Sequence, residues 1–379
     1  MSIYLDYNAS SPIDERILDT MITIYREYYG NADSRTHNHG TDARKQVEVA
    51  RAQVGSLLNV ESREVIFTSG ATESNNMAVL GLEEYGRQHK KFHIITTSIE
   101  HKAILESVKH LSKKGFDIEL INPDESGRID AAYLLTRVRR DTLLVSVQHV
   151  NNETGIIQPV KEIGDELWDT DTFFHIDAVQ SNGKLVDEIR ALHYNMLSIS
   201  AHKMYGPQGV GALILRYKDN KRTPIQPIIY GGGHEGGLRP GTLPVALIVG
   251  LGKACEIAQE EYKQNLMRYE QNKKDILKTI ESANVNFKLN GDPLFCISNT
   301  LNVSFPGVDS EALMIRAREY CSLSNGSACN SQSYSPSHVL MAMGLSEDRI
   351  ESAIRLSWGT ASVNLPLLDQ LLSIVRAEQ

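Results

Sequence analysis

Short runs of apolar residues alternate with longer stretches of helical periodicity from about residue 43 to about residue 215. Few folds accept such a pattern. Strands that are apolar throughout, separated by helices, build a parallel sheet covered on both faces. Residues 43–58 repeat apolar side chains at helical spacing (Val47, Ala50, Val54, Leu57, Leu58), 64–68 form a β-branched and aromatic run, and a helix follows from Thr72. Further strands are expected at 93–97, 118–121, 143–147, 173–176 and 196–199, with late strands at 210–216 and 225–229. Such a sheet offers its ligand site outside the carboxyl ends of its strands.

The pattern breaks at 231–242, where six of twelve residues are glycine. After Gly252 a polar run without Pro or Gly extends to about Ile280 and reads as one long helix. The remainder mixes strands such as 300–305 with helices such as 311–318 and 366–377. At 379 residues the chain exceeds the ~250–300 at which single cores stop growing, so a large and a small domain joined by the long helix are expected.

Charge narrows the function classes. With 39 basic against 47 acidic residues the net charge is −8, and no Lys/Arg block offsets it, so direct nucleic-acid binding is not expected. No apolar run reaches the ~18–20 residues of a membrane span, and the first residues lack the basic and apolar stretches of a secretory signal. A cytoplasmic protein is expected. Cysteines at 255, 296, 321 and 329 form no CxxC pair, which removes common zinc and thioredoxin spacings, so no metal site is expected.

Four segments carry polar residues where chemistry could sit. TSGATESNN at 68–76 turns from strand to helix, and the free amides of a helix start favour an anion such as a phosphate. Taken alone it is as well explained by a helix cap, with Thr72 capping and Asn75 in the first turn. Asp177, in FHIDAVQ at 174–180, follows a buried strand, where a carboxylate needs a cation or donor. A helix cap would supply one, and so would the protonated ring nitrogen of pyridoxal phosphate. Lys203, in SISAHKMYGP at 198–207, has an amine able to form a Schiff base, with Ser200 and His202 beside it as phosphate donors. Cys329 lies among small and polar residues at 325–335 and reads as an available nucleophile in a mobile loop. Cys255 and Cys321 read as small core residues.

These segments occur in one order together with EHK at 100–102, HVNNETG at 149–155, HIDAVQS at 175–181, RPGTLPV at 239–245 and NGSAC at 325–329. The chain thereby resembles, over nearly its whole length, the class I cysteine desulfurases of the Nif/Isc type. Within that group it most resembles those of bacterial DNA phosphorothioation systems, on the stretches TSGATESNN, SVQHVNNETGIIQPV and YGGGHEGGLRPGTLPV. It departs from many relatives at Ala201 (often Gly) and Asn325 (often Ser) and in an early loop that lacks a Pro, 30–34.

The resemblance implies a fold-type I pyridoxal phosphate enzyme of α/β class. Its large domain (14–255) holds a mostly parallel seven-stranded sheet, and its smaller α+β domain (1–13 and 256–379) carries the cysteine loop. L-cysteine would be converted to L-alanine, with the sulfur kept as a persulfide on Cys329 and passed to an acceptor protein. Lys203 would hold the cofactor and move protons, Asp177 would pair with the ring nitrogen, and His101 would stack on the ring and assist proton transfer. Gln180 would donate to the phenolic oxygen, while Thr72, Ser200, His202 and the Ala71 amide would hold the phosphate. Thr242 would reach the phosphate of a neighbouring subunit, making a homodimer, and Asn152 and Arg355 would bind the substrate carboxylate. The chain lacks the longer tail of housekeeping Isc members, so delivery to an iron–sulfur scaffold is not the expectation; the local similarity directs it toward an ATP-dependent phosphorothioation subunit as acceptor. Competing readings are a housekeeping donor for iron–sulfur clusters or tRNA thiolation, a selenocysteine lyase, an aminotransferase, and a non-catalytic sulfur-relay scaffold.

Overall fold

The computed structural model describes residues 2–325 and 336–379. Its larger sheet has seven strands: β1 (Val65–Thr68), β2 (His93–Thr97), β3 (Asp117–Ile121), β4 (Thr142–Gln148), β5 (Phe173–Asp177), β6 (Met196–Ser200) and β7 (Gly211–Leu215). They lie in the order β1-β7-β6-β5-β4-β2-β3, and only β7 runs against the rest. Every residue of β1, β2, β4, β6 and β7 is buried, whereas in the edge strand β3 only Ile121 is. Burial on both faces is why these strands read as unbroken apolar runs without polar alternation.

Successive residues nevertheless serve opposite faces, as the strand period of two requires. Val145 and Leu197 join one core with Ile17 and Met21 of α1 (Glu15–Glu27), Val47 and Val54 of α2 (Asn38–Leu58), and Ile248. Their neighbours Leu144 and Met196 join the other core with Met77 of α3 (Ala71–Leu80) and Ile104 of α4 (Lys102–Ser112). The expected run at 225–229 is not a strand. Pro224 and Pro227 remove ladder donors there, and the segment is tied down instead by the Gln226 amide donating to the Gly81 carbonyl at 2.8 Å.

The long helix α5 (Val245–Ser282) begins seven residues before Gly252, where the sequence pattern suggested it would start. Gly250 and Gly252 lie inside it because other elements approach there. A Cβ on Gly252 would sit 2.6 Å from Ala50 Cα, and one on Gly250 would sit 2.8 Å from Met21 Sδ. The helix spans two cores: Ile248 and Leu251 belong to the first, while Tyr269, Ile276 and Ile280 pack with Leu5, Leu301, Val303, Ile354 and Leu356. That second core backs an antiparallel sheet of β8 (Lys288–Leu289), β9 (Thr300–Ser304) and β10 (Ala353–Ser357), covered by α6 (Leu365–Glu378). Ile3–Tyr4 pairs in parallel with Cys321–Ser322, which fixes the N-terminal segment beside this sheet. Cys255 and Cys321 are core residues, with burial pushing the Cys321 thiol up to about 12. No helix among the described residues is long and apolar enough to cross a membrane.

Candidate active site

One cleft of about 580 Å³ opens at the carboxyl ends of the parallel strands. Ala71, Thr72, His101, Asn152, Asp177, Gln180, Ser200, His202, Lys203 and Arg355 all line it. They come from six separate stretches of chain, so their meeting is a product of the fold.

At one wall β1 ends at Thr68, and Gly70, with φ +149°, turns the chain into α3. Only glycine adopts that backbone readily. A Cβ on Gly211 of β7 would lie 2.9 Å from Gly70 Cα, so the turn also needs a bare neighbour. Gly70 is the residue that caps α3, and Thr72 lies in its first turn, not at the cap position. Thr68 and Ser74 hydroxyls pair at 2.8 Å, and the Ser69 amide donates to Glu73 Oε2 at 2.7 Å. Burial works against the Glu73 charge, but Arg239 at 2.9 Å and Ser69 hold its carboxyl below the usual range. The first-turn residues Ala71 and Thr72 thus face the cleft from the positive end of a ten-residue helix.

Asp177 is the last residue of β5 and is 6% exposed. Its Oδ2 accepts from Asn75 Nδ2 at 2.7 Å and its Oδ1 from the Val179 amide at 3.1 Å. It does not cap a helix; a tight turn follows it. Asn75 Oδ1, beside this carboxylate, is buried without a hydrogen-bond partner. Lys203 ends a 3₁₀ turn, Ala201–Lys203, directly after β6. Its Nζ donates to the carbonyls of Asn8 and Ala9, the latter at 2.6 Å. Gln180 Nε2 donates to the same Asn8 carbonyl at 3.0 Å, leaving its second N–H for another acceptor.

His101 caps α4, its Nδ1 accepting from the Ala103 amide at 3.1 Å. Because an amide can only donate, that nitrogen is unprotonated and the ring's proton sits on Nε2. Burial lowers the His101 pKa, Asp177 opposes the shift, and the Lys203 charge adds to it. His202 is pushed down to about 4 by burial first, then by Lys203 and Lys184. Both imidazoles are therefore neutral at pH 7. Next to His101, burial lifts the fully enclosed Glu100 carboxyl to about 8, although Thr97 and the Gln148 amide both donate to its Oε1.

From the opposite wall, β10 sends in Arg355, 4% exposed. Its Nη2 contacts Asp6 Oδ1 at 2.6 Å and its Nη1 donates to the Asn152 carbonyl at 2.9 Å, while Nε is buried without a partner. It is a buried arginine held from two sides, and donors remain on it for a ligand. Asn152 contributes its carbonyl to this clamp and borders the cleft.

Two expected site residues are not among those lining the cleft. Thr242 is exposed and does not line it. Cys329 lies outside the described residues, as does most of its motif. Conversely, Asn8, Asn75 and Gln148 line the cleft without having been expected to act there. Asn75 sat in a quoted motif; Asn8 carried no signal, because its backbone oxygen is the working atom.

The class-V aminotransferase model ("Aminotransferase class-V") matches residues 3–364. The cysteine desulfurase IscS of Anaeromyxobacter dehalogenans (strain 2CP-C) is 43% identical over 360 residues, covering 95% of this chain and 88% of that protein. Among solved structures, a NifS-like protein superposes with a TM-score of 0.90 at 36% identity, covering 100% of this chain and 99% of that one. DndA from Streptomyces lividans does so with a TM-score of 0.82 at 42% identity, covering 94% and 99%.

Enzymes of this kind use pyridoxal phosphate, and the cleft fits it. An amine, a carboxylate and a helix start correspond to the three ends of that molecule: an aldehyde, a ring nitrogen and a phosphate. The unpaired Asn75 Oδ1 beside a doubly bonded Asp177 shows a buried floor organised for polar contact. The chain belongs to the class-V aminotransferase family and, within it, to the pyridoxal phosphate-dependent cysteine desulfurases.

Proposed function

We propose that the protein takes sulfur from L-cysteine, releases L-alanine, and keeps the sulfur as a persulfide on Cys329 before handing it to an acceptor protein. The atoms balance: the substrate Cβ–S bond breaks, an S–S bond to Cys329 forms, and the thiol protons are conserved between alanine and persulfide. Pyridoxal phosphate, when bound, supplies the electron sink that makes the substrate's α-proton removable.

Lys203 holds the cofactor through Nζ and carries protons at that atom. Asp177, its oxygens oriented by Asn75 and Val179, keeps a proton on the ring nitrogen. His101 would lie against the ring and assist proton transfer through the proton on its Nε2. Gln180 donates its remaining N–H to the phenolic oxygen. The Ala71 amide, Thr72, Ser200 and neutral His202 hold the phosphate, and Thr242 reaches that of a neighbouring subunit, so the working form is a homodimer. Arg355 and Asn152 orient the substrate carboxylate, the guanidinium by a two-point contact that an ammonium lacks.

The observation that carries this reading is the convergence of Lys203, Asp177 and Arg355 on one cleft. Incubation with L-cysteine and a reductant is expected to yield alanine and sulfide in equal amounts. Cys329→Ala is expected to abolish sulfide release while the cofactor's visible absorbance persists; full turnover in that variant would remove Cys329 from the mechanism.

The same reading divides the chain into a large domain, 14–255, and a small one, 1–13 with 256–379, supported by the separate cores on which the two halves of α5 pack. A cytoplasmic location fits a reaction that needs a free thiol. For the sulfur's destination, the three stretches quoted for the resemblance favour an ATP-dependent subunit of DNA phosphorothioate modification. Co-purification with such a subunit supports that acceptor, and persulfide transfer only to an iron–sulfur scaffold overturns it.

A further inference from the structure

Lys184 is a buried lysine that the reaction outlined above does not use. It follows the turn after β5, where Gly183 adopts φ +73°, and its Nζ donates to the Gln180 carbonyl at 2.9 Å and the Lys203 carbonyl at 3.2 Å. No carboxylate among the described residues lies within ion-pair distance of it. A cavity of about 270 Å³ borders both lysines. Its acids are occupied elsewhere, since Asp14 and Glu261 pair with Arg16 at 2.8 and 2.6 Å. Tyr205 and Tyr269 share a hydroxyl contact at 3.1 Å, and Arg268 is a further cation on this wall. On the cleft side His202 is the titratable group close enough to feel the charges of both lysines.

An enclosed ammonium without a counter-ion is costly, and a residue that served only to fill space would be apolar. What Lys184 does instead is bind two main-chain oxygens from two different strand-end turns. One belongs to the residue assigned to the cofactor's phenolic oxygen and the other to the residue assigned to its aldehyde.

We infer that Lys184 is a positioning residue for the cofactor-bearing amine: its Nζ fixes the Gln180 and Lys203 turns to one point and places a positive neighbour behind Lys203. The inference rests on the reading that Lys203 holds the cofactor. Consistent with it, burial and then the Lys203 charge bring Lys184 down to about 7.

The test is a pH titration of the visible absorbance band of the pyridoxal phosphate-loaded protein, with thermal melting alongside. Removing a positive neighbour favours the protonated form, so Lys184→Met is expected to raise the band's midpoint by about one pH unit. It is also expected to speed cofactor release. A role in packing alone would lower the melting temperature and leave the midpoint in place, and that result overturns the proposal. If the methionine variant does not fold, Lys184→Gln decides by the same criterion, since it keeps a donor nitrogen and removes the charge. Borohydride reduction and peptide mapping of the loaded wild type separate the two failures. No label on Lys203 sinks the underlying reading, whereas label on Lys203 with an unmoved midpoint sinks this inference alone.

Discussion

On the seven-stranded side of the cleft, Asp177, Gln180, Ser200, His202 and Lys203 all stand at or within a few residues of the buried ends of β5 and β6. On the other side a single guanidinium, Arg355, comes from the middle of β10 and is held by residues far away in sequence, Asp6 and Asn152. The first group is placed by strand register, since Asp177 pairs with both Gln148 and Ser198 in the sheet ladder. Moving one of those side chains means moving a strand. The second is placed by a side-chain clamp joining the N-terminal segment, the loop after β4 and the small sheet. One wall is rigid through the backbone, and the other depends on a few polar contacts that a substitution can remove.

The harshest way to break this contrast is Asp177→Asn. The backbone stays in register, but the amide cannot carry the negative charge that, in the proposed mechanism, holds the ring nitrogen's proton. A loss of at least about 100-fold in kcat for alanine formation is expected, with cofactor still bound. Retention of full activity would show that strand-end placement alone suffices. On the clamped wall, Arg355→Lys keeps the charge and loses the fork geometry. KM for L-cysteine is expected to rise about tenfold, equivalent to ~1.4 kcal/mol, with a smaller change in kcat. An unchanged KM would detach the clamp from substrate binding.

The smallest effect sharpens the rigid side. Burial lifts Glu100 from the usual 4.5 to about 8, so across that window the folded protein keeps a proton that the unfolded chain has released. Stability therefore falls as pH rises from about 4.5 toward 8. Glu100→Gln removes the ionisation, and thermal melts at pH 5 and pH 8 are expected to differ less in the variant than in wild type. Equal differences in both proteins would show that Glu100 is charged in the fold.

The strands of the large sheet were legible because burial on both faces leaves continuous apolar runs. Three misreadings have local causes. The run 225–229 is apolar but interrupted by proline, so its composition resembled a strand that its donors could not complete. The start of α5 was hidden because Gly250 and Gly252 looked like breakers, although they are there to let α1 and α2 approach. Thr72 looked like a cap because Ser, Thr, Asp and Asn usually serve there, whereas the turn needed φ +149° and took Gly70 instead.

The order of the motifs determined the family, and through it the amine, the carboxylate and the imidazole of the site, since those chemistries require particular residue types. Sequence could not assign work to atoms that every residue carries. The Asn8 carbonyl that receives Lys203 and Gln180, and the two carbonyls that Lys184 binds, acquire their roles only when turns distant in the chain are brought together. A backbone oxygen has no residue type to conspicuously mark it, so only the tertiary arrangement decides which one meets a buried charge.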